Sequence, residues 1–225
     1  MRDWSKTKVH FVGIGGSGMS GIARIMVARG AEVSGSDIHD SSNLAGLRSA
    51  GIKVFIGHQA SNLGTPDIVV RSSAIPHDNV EISEAQVRGI EVIERAQALA
   101  WLMDGKNSVA IAGTHGKTTT TSMLTVALQH CGLDPSFSIG ATVRNSGTNA
   151  HHGTGEIFVV EADESDGSFI AYKPRGAVIT NIELDHVDNF KSLAEIEAIF
   201  QNFVATIQPG GFLVLCVDDE GVKKL

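Results

Sequence analysis

Residues 108–119 read Ser-Val-Ala-Ile-Ala-Gly-Thr-His-Gly-Lys-Thr-Thr. The apolar run at 108–112 is typical of a buried strand, and the segment after the loop is typical of a helix. Gly113 and Gly116 let backbone N–H groups close on an anion, the helix N-terminus adds partial positive charge, and Lys117 supplies a cation. Thr118 places a hydroxyl where a magnesium ion would bind. The stretch therefore predicts a strand–loop–helix site for a polyphosphate such as ATP.

This loop departs from the strict phosphate-loop pattern, because Ile111 stands where the first glycine is required. A chance occurrence of Gly-Lys-Thr is the alternative. The setting between a strand and a helix favours a phosphate site, and so does the threonine run at 118–121. Threonine is a poor residue for a helix interior, but at a helix N-terminus its hydroxyl can cap the helix and contact phosphate.

A second glycine cluster, Gly-Ile-Gly-Gly-Ser-Gly at 13–18, follows a predicted strand and precedes a predicted helix. Asp37 comes about 20 residues later at the end of the next predicted strand, which is the spacing of a dinucleotide-binding fingerprint. The pattern indicates a pyrophosphate and a ribose, and leaves the nucleotide open. A purely structural tight turn is the alternative.

Strands and helices alternate along the whole chain, which predicts an α/β protein with parallel sheets. A polar break at 104–107 separates a Rossmann-like first domain, residues 1–106, from a P-loop-type, mainly parallel α/β domain, residues 107–225. Residues 95–103 and 192–207 are predicted helices, and 140–155 a polar loop without periodicity. The predicted strands are residues 9–12, 31–36, 53–56, 67–70, 91–93, 108–112, 157–162, 177–180 and 212–217.

Two polar clusters directly follow predicted strands of the second domain. Residues 161–166 carry four carboxylates, and His186 is flanked by Asp185 and Asp188. Ligands bind at the carboxyl ends of parallel strands, where a cation would relieve the repulsion between the carboxylates. We therefore expect a metal role for Glu161, which ends its strand, and a metal or phosphate role for His186. A solvated acidic turn and a structural histidine are the alternatives.

Composition narrows the class of protein. Hydrophobic residues at 42% and charged residues at 19% suit an ordinary globular core, and the net charge of −7 argues against a nucleic-acid partner. The polar N-terminus and short apolar runs predict neither a signal peptide nor a membrane segment. Cys131 and Cys216 adjoin apolar segments, which predicts buried, reduced thiols and a cytoplasmic protein.

Five motifs occur in order: GIGGSGM at 13–19, SSAI at 72–75, GTHGKTT at 113–119, EADESD at 161–166 and TNIELDH at 180–186. Together they resemble the Mur ligases over essentially the whole chain. The Ile111 departure is normal for that family.

The resemblance assigns roles to specific residues. It implies that a uridine diphosphate binds to Gly13, Gly15, Gly16, Ser17, Gly18, Met19, Asp37, Ser72 and Ser73. It implies that ATP binds to Gly113, Thr114, His115, Gly116, Lys117, Thr118 and Thr119. Thr118 and Glu161 would hold one magnesium ion and His186 would help to place a second, so that Lys117, Glu161 and His186 are the implied catalytic residues.

Within the family, the resemblance favours the members that add L-alanine to UDP-N-acetylmuramate through an acyl phosphate, in peptidoglycan precursor synthesis. Members that join a tripeptide to the same sugar nucleotide are the second candidate. An NAD-type oxidoreductase would leave the Gly-Lys-Thr loop unexplained.

Family members carry a further C-terminal domain, which contacts ATP and forms the amino-acid pocket. This chain matches the first domain and most of the second, and it stops soon after a predicted strand. We therefore expect a truncated protein that binds a uridine nucleotide but catalyses little ligation.

Overall fold

A computed structural model describes residues 2–185 and 190–225. The chain forms two compact units, the first comprising Met1–Leu102 and Ala150–His152, the second Met103–Asn149 and Gly153–Leu225. Each unit is built around a sheet whose strands alternate with helices along the chain. The predicted α/β class with parallel sheets is confirmed.

The first unit contains a five-stranded sheet with the order β3-β2-β1-β4-β5, and all four pairings are parallel. Its elements are β1 (Lys8–Val12), α1 (Ser17–Ala28), β2 (Glu32–Asp37), α2 (Ser42–Ser49), β3 (Lys53–Ile56), β4 (Ile68–Arg71), α3 (Val80–Val87), β5 (Glu91–Glu94) and α4 (Arg95–Met103). After β3 the chain returns to the other side of β1. The carboxyl ends of β1 and β4 therefore form a topological switch point, where open α/β sheets bind ligands.

Sequence pattern explains the central layer of this unit. Four of the five residues of β1 are buried, as expected for a parallel strand that helices cover on both faces. The α1 helix buries Met19, Ile22, Ala23 and Met26, the face that helical spacing predicts. Burial of these apolar side chains holds the glycine loop between β1 and α1 against the sheet.

A buried carboxylate lies within the first unit. The Glu81 side chain is fully buried, and it accepts hydrogen bonds from Ser36 Oγ, His10 Nε2 at 3.1 Å, Asn62 Nδ2 at 2.7 Å and the Gln59 N–H at 3.0 Å. Burial raises the pKa of Glu81, but the hydrogen bonds from His10, Ser36, Asn62 and Gln59 outweigh it and hold the pKa below its ordinary value. The ionised form is therefore the one that the fold stabilises.

We expect Glu81→Gln to cost about 2 kcal/mol of unfolding free energy at pH 7, because the amide keeps one accepting oxygen for Gln59 and Asn62 but turns an NH2 group toward His10 and Ser36. A depressed folded-state pKa contributes stability above the unfolded pKa of about 4.3, and that stability is lost as the pH falls through the folded value. The variant should therefore lose less stability than the parent between pH 5 and pH 3. Urea unfolding across this range measures both effects. Glu84→Gln, on the same helix but partly exposed, is the control; equal pH dependence in parent and Glu81→Gln would contradict the prediction.

The second unit contains a six-stranded sheet with the order β11-β10-β6-β9-β7-β8. Its elements are β6 (Asn107–Ala112), α5 (Lys117–His130), β7 (Ser136–Val143), β8 (Thr148–His151, of which 150 and 151 belong to the first unit), β9 (Ile157–Glu161), β10 (Gly176–Ile179), α6 (Leu193–Ala205) and β11 (Phe212–Leu215). The central strand β6 pairs in parallel with β9 on one side and β10 on the other. The loops after these three strands therefore meet at one edge of the sheet.

Two expectations from sequence were wrong. The segment 140–155 is not an irregular loop throughout, because it holds the end of β7 and all of β8. Its residues are small and polar and show no apolar alternation. Gly140, Ala141 and Thr142 are exposed, so this part of β7 is specified by pairing with neighbouring strands rather than by its own side chains. Cys131 and Cys216 are free thiols, but both are exposed rather than buried.

Within the described residues, no helix combines the length and the apolar composition that crossing a bilayer requires.

Candidate functional site

The loop after β6 is shaped by a glycine that no other residue could replace without movement. Gly113 has φ of +134°, a region that favours glycine. A Cβ at this position would overlap Thr180 Oγ1 and would lie 3.1 Å from the backbone N and O of Asn181. The β6 loop is therefore packed directly against the segment that follows β10.

The same segment fixes the next two residues of the loop. The Thr114 N–H donates to the Asn181 carbonyl at 3.0 Å, and the His115 N–H donates to Asn181 Oδ1 at 2.8 Å. Thr180 Oγ1 donates to the His115 carbonyl at 2.6 Å. Because both N–H groups are used inside the protein, Thr114 and His115 shape the loop. The His115 ring is exposed and lies 4.0 Å from the Glu183 carboxylate.

Helix α5 begins at the end of this loop with its first N–H groups directed away from the helix body. Gly116 is its N-cap, with φ of +82° and no side-chain cap. The N–H groups of the first turn have no partner within a helix, and together with the helix dipole they favour an anion. Lys117, Thr118 and Thr119 form this first turn, as the motif predicts.

The threonine run divides after that turn. Thr121 and Thr125 are buried, and their hydroxyls donate to the carbonyls four residues earlier, those of Lys117 and Thr121, at 2.7 and 2.8 Å. Such bonds satisfy a buried hydroxyl inside a helix. Thr121 therefore does not cap the helix or reach a phosphate, contrary to the role expected for the whole run.

Lys117 is held in place by three groups of the chain. Its ammonium donates to the Gly113 carbonyl at 2.7 Å, to the Thr114 carbonyl at 3.1 Å and to the Glu164 carboxylate at 2.9–3.0 Å. The Glu164 side chain is 2% exposed. Burial raises the pKa of Glu164 above its ordinary value, and hydrogen bonding and attraction to Lys117 offset only part of that rise. The lysine thus lies at the loop with a buried carboxylate beside it.

Glu161, at the carboxyl end of β9, lies beside the start of α5. Its Oε1 accepts from Thr118 Oγ1 at 2.7 Å, and its Oε2 accepts from the Gly140 N–H at 2.7 Å. A hydroxyl and a carboxylate oxygen at this separation are hard donors of the kind that magnesium prefers. The donor set at Thr118 and Glu161 therefore fits a hard divalent cation such as magnesium.

Two further carboxylates of the acidic run accept hydrogen bonds from backbone N–H groups two residues later. Asp163 Oδ1 accepts from the Ser165 N–H at 3.0 Å, and Asp166 Oδ1 accepts from the Ser168 N–H at 2.9 Å. Within residues 2–185 and 190–225, no three His, Cys, Asp or Glu side chains cluster as a metal site would need.

The prediction for His186 lies outside the described residues, which end at 185 and resume at 190. Its metal or phosphate role stays a prediction.

In the first unit, the glycine loop after β1 is tied to the end of β2. The N–H groups of Gly13 and Ile14 donate to the Ser36 carbonyl at 2.9 and 3.0 Å, and the Gly15 N–H donates to Asp37 Oδ2 at 2.8 Å. A Cβ on Gly15 would lie 2.8 Å from that same oxygen. Asp37 therefore positions the loop, and glycine at 15 is required by its close approach.

The other side of this loop is the turn after β4. A Cβ on Gly13, whose φ is +83°, would lie 3.1 Å from the Cβ of Ser72. Arg71 is buried and fixes the turn by donating to the Ile75 carbonyl at 2.7 Å and to Glu94 Oε1. The structure thus brings Gly13, Gly15, Ser72 and Asp37 together at the switch point, with Ser73 exposed at its rim.

Helix α1 starts after Gly16, which provides no side-chain cap, and the N-terminus of a helix favours an anion. Gly16 and Ser17 are exposed, and Gly18 is partly buried. The Met19 side chain is only 1% exposed and packs in the core, so this residue can offer a ligand its backbone alone.

Sequence reasoning missed three residues at these sites. Arg95 lies beside Gly18, because a Cβ there would be 3.3 Å from Arg95 Cδ and Nη1. Asn181 anchors the β6 loop, and Glu164 pairs with Lys117. Asn181 and Glu164 lie inside motifs that were singled out, so a signal existed for them. Arg95 had none beyond its position after a strand.

Two family models match the chain: the Mur ligase family catalytic domain at residues 8–107 and the Mur ligase middle domain at residues 111–225. Among curated proteins, UDP-N-acetylmuramate–L-alanine ligase of Saccharopolyspora erythraea is 54% identical over 222 residues, and that of Rhodococcus jostii is 55% identical over 223. Each alignment covers 97% of this chain. The chain spans 45% and 44% of those two relatives, respectively.

Two solved structures of similar ligases also match this chain. The UDP-N-acetylmuramate:L-alanyl-gamma-D-glutamyl-meso-diaminopimelate ligase from Neisseria meningitides matches with a TM-score of 0.90 at 32% identity, covering 97% of this chain and 74% of that one. The UDP-N-acetylmuramate-alanine ligase from Thermotoga maritima matches with a TM-score of 0.86 at 32% identity, covering 97% and 51%. With glycine loops and strand ends arranged as the motifs require, the chain belongs to the Mur ligase family.

Proposed function

We propose that this chain is part of an ATP-dependent ligase that adds L-alanine to UDP-N-acetylmuramate, a step of peptidoglycan precursor synthesis. One observation carries the proposal: Lys117, Thr118 and Glu161 meet at the strand ends of a chain whose family makes amide bonds. The identity of 54% to alanine-adding relatives supports the choice of amino acid. ATP and the sugar nucleotide also favour a cytoplasmic location.

In this proposal the two units bind different substrates. The loop at Gly13–Gly18 would take the uridine diphosphate, with Ser72 and Ser73 at its rim and Asp37 holding its shape. The loop at 113–116 and the first turn of α5 would take the triphosphate of ATP. Both loops would bind phosphate for the same reason, because each leads into a helix N-terminus without a side-chain cap at the carboxyl edge of a parallel sheet.

The proposed chemistry follows from the poor reactivity of the carboxylate of UDP-N-acetylmuramate toward an amine. Its oxygen attacks the γ-phosphorus of ATP, a new O–P bond forms, and the bond to the β-phosphate oxygen breaks to release ADP. The amine of alanine then attacks the acyl carbon, phosphate leaves with the C–O bond electrons, and the amine loses a proton to a base. In the first step Lys117 would neutralise charge on the transferring phosphoryl group.

Thr118 and Glu161 would hold a magnesium ion through their side-chain oxygens, and His186 is proposed to help place a second. When bound, magnesium offsets the repulsion between carboxylate and triphosphate. Glu161 itself is oriented for this by the Gly140 N–H, which fixes one of its oxygens while the other faces Thr118.

A second candidate is the tripeptide-adding reaction, which the Neisseria meningitides match at TM-score 0.90 favours. The two reactions differ in the amine that is joined to the sugar nucleotide. Phosphate release from ATP that depends on both UDP-N-acetylmuramate and L-alanine supports the main proposal. Release that depends on the tripeptide instead supports the second. This assay needs the full-length protein that contains these residues, since we propose that the 225 residues alone catalyse little ligation. Alanine-dependent ADP release by the 225-residue chain would contradict that last point.

Substrate binding by the first unit can be tested through Arg95. Its guanidinium lies beside Gly18 at the start of α1, where the diphosphate is proposed to bind. We expect Arg95→Met to weaken UDP-N-acetylmuramate binding to this chain by about tenfold, because a charge-assisted contact is lost. Calorimetric titration measures the dissociation constant. Arg88→Met, which removes an arginine paired with Glu84, should leave the affinity unchanged; an equal effect of both variants would refute the assignment.

A further inference from the structure

The ammonium group of Lys117 has a full set of partners within the chain. An ammonium has three N–H donors, and here they face the Gly113 carbonyl, the Thr114 carbonyl and the Glu164 carboxylate. The lysine side chain is only 13% exposed, so water cannot readily replace a lost partner. A phosphate oxygen can therefore bind to this ammonium only if one of the three acceptors yields its place.

Of these acceptors, Glu164 is the one whose charge opposes an incoming triphosphate. The two carbonyls are neutral and belong to the phosphate loop itself. Glu164 is a buried carboxylate at 2.9 Å from Lys117 Nζ and lies outside the loop, in the turn after β9. Two anions that share one cation in a poorly hydrated site repel each other. Exchange of Glu164 for a phosphate oxygen keeps Lys117 paired and relieves that repulsion.

We propose that Glu164 is an internal counter-ion that pairs with Lys117 until ATP binds and that the triphosphate must displace from it. The inference rests on the proposed ATP site of the second unit. Glu164 is on this view a positioning residue, since it acts through Lys117 and need not touch the nucleotide. It maintains the lysine at the loop and at the same time weakens ATP binding.

Thermodynamic linkage gives this role a distinctive signature. A contact that stabilises the chain only before ATP binds must lower ATP affinity by the same factor. Removing the negative charge should therefore destabilise the chain without nucleotide and tighten ATP binding together. A residue that merely supports the fold would lower stability and leave the affinity equal or weaker.

The test compares Glu164→Gln with the parent chain in calorimetric titrations with ATP and magnesium. Glutamine keeps an oxygen that can accept from Lys117 but removes the charge. We expect the dissociation constant to fall at least about fivefold, as befits loss of a competing charge-assisted hydrogen bond. We expect the melting temperature without ATP to fall, and the gap to the parent to narrow at saturating ATP. Asp166→Asn removes one charge from the same turn at an exposed position, and should change the affinity less than twofold.

The titrations distinguish a failure of the proposed ATP site from a failure of the role proposed for Glu164. Failure of the parent chain to bind ATP overturns the proposed ATP site and this inference with it. Binding by the parent with equal or weaker binding by Glu164→Gln overturns the inference alone. If Glu164→Gln does not fold, Glu164→Asp provides the measurement, since a shorter carboxylate competes less well. Tighter binding by Glu164→Asp supports the displacement, and unchanged or weaker binding rejects it.

Discussion

Lys117→Met is expected to weaken ATP binding to this chain by roughly 100-fold, because charge-assisted hydrogen bonds to phosphate contribute about 3 kcal/mol. The ammonium lies at the loop through two carbonyl contacts, and no other side chain of the first turn of α5 carries a positive charge. Methionine retains the length and apolar character of the lysine stem, so the main loss is the charge. Titration calorimetry with ATP and magnesium measures the effect.

Two controls make that result interpretable. Lys173→Met removes an exposed lysine of the same unit and is expected to leave ATP affinity unchanged. Because Lys117→Met also leaves Glu164 without its lysine, circular dichroism must first show that the Lys117→Met chain is folded. The double variant Lys117→Met, Glu164→Gln should recover stability but not ATP affinity. A folded Lys117→Met chain that binds ATP like the parent would refute the assignment of Lys117.

Gly113→Ala is expected to cost about 3 kcal/mol of unfolding free energy and to abolish measurable ATP binding. The added methyl group would overlap Thr180 Oγ1, and φ of +134° is strained for any residue with a Cβ. Relief requires the β6 loop and the segment after β10 to separate, which breaks the bonds of Thr114 and His115 to Asn181. Urea unfolding and ATP titration measure the two losses.

Gly132→Ala is the matched control for this prediction. Gly132 also has a positive φ, +77°, but a Cβ there would meet no atom within 4 Å. Its cost is therefore the backbone strain alone, about 1 kcal/mol. If both substitutions cost the same, the close approach of Gly113 to Thr180 has no energetic consequence, contrary to the prediction.

Local sequence patterns were sufficient to predict much of the fold. The helix predicted at 192–207 is α6, and Ser192 caps its N-terminus, since Ser192 Oγ accepts from the Glu195 N–H at 3.3 Å. The Glu195 carboxylate accepts from the N–H of Lys191, one residue before the cap, at 2.8 Å. The core strands β1 and β6 were predicted within one residue of their ends. These signals are local, because capping and burial periodicity involve residues a few positions apart.

The strands β7 and β8 could not be predicted in the same way. Their small and polar residues carry little intrinsic preference, and β7 is specified by its parallel pairing with β9. That strand matters for the site, because its Gly140 N–H fixes one oxygen of Glu161. The exposure of Cys131 and Cys216 was missed for a related reason: an apolar neighbourhood in sequence does not say which face a residue occupies.

The sequence alone determined the kinds of element in this protein, the two glycine loops and the residue types available for chemistry, because each depends on groups that are close along the chain. Only the tertiary structure decided which of those groups meet. Lys117 and Glu164 are 47 residues apart, and Thr118 and Glu161 are 43 apart. Their contacts exist because β6 lies between β9 and β10, so that three loops distant in sequence share one edge of the sheet. Strand order is set by long-range packing, which no local pattern records.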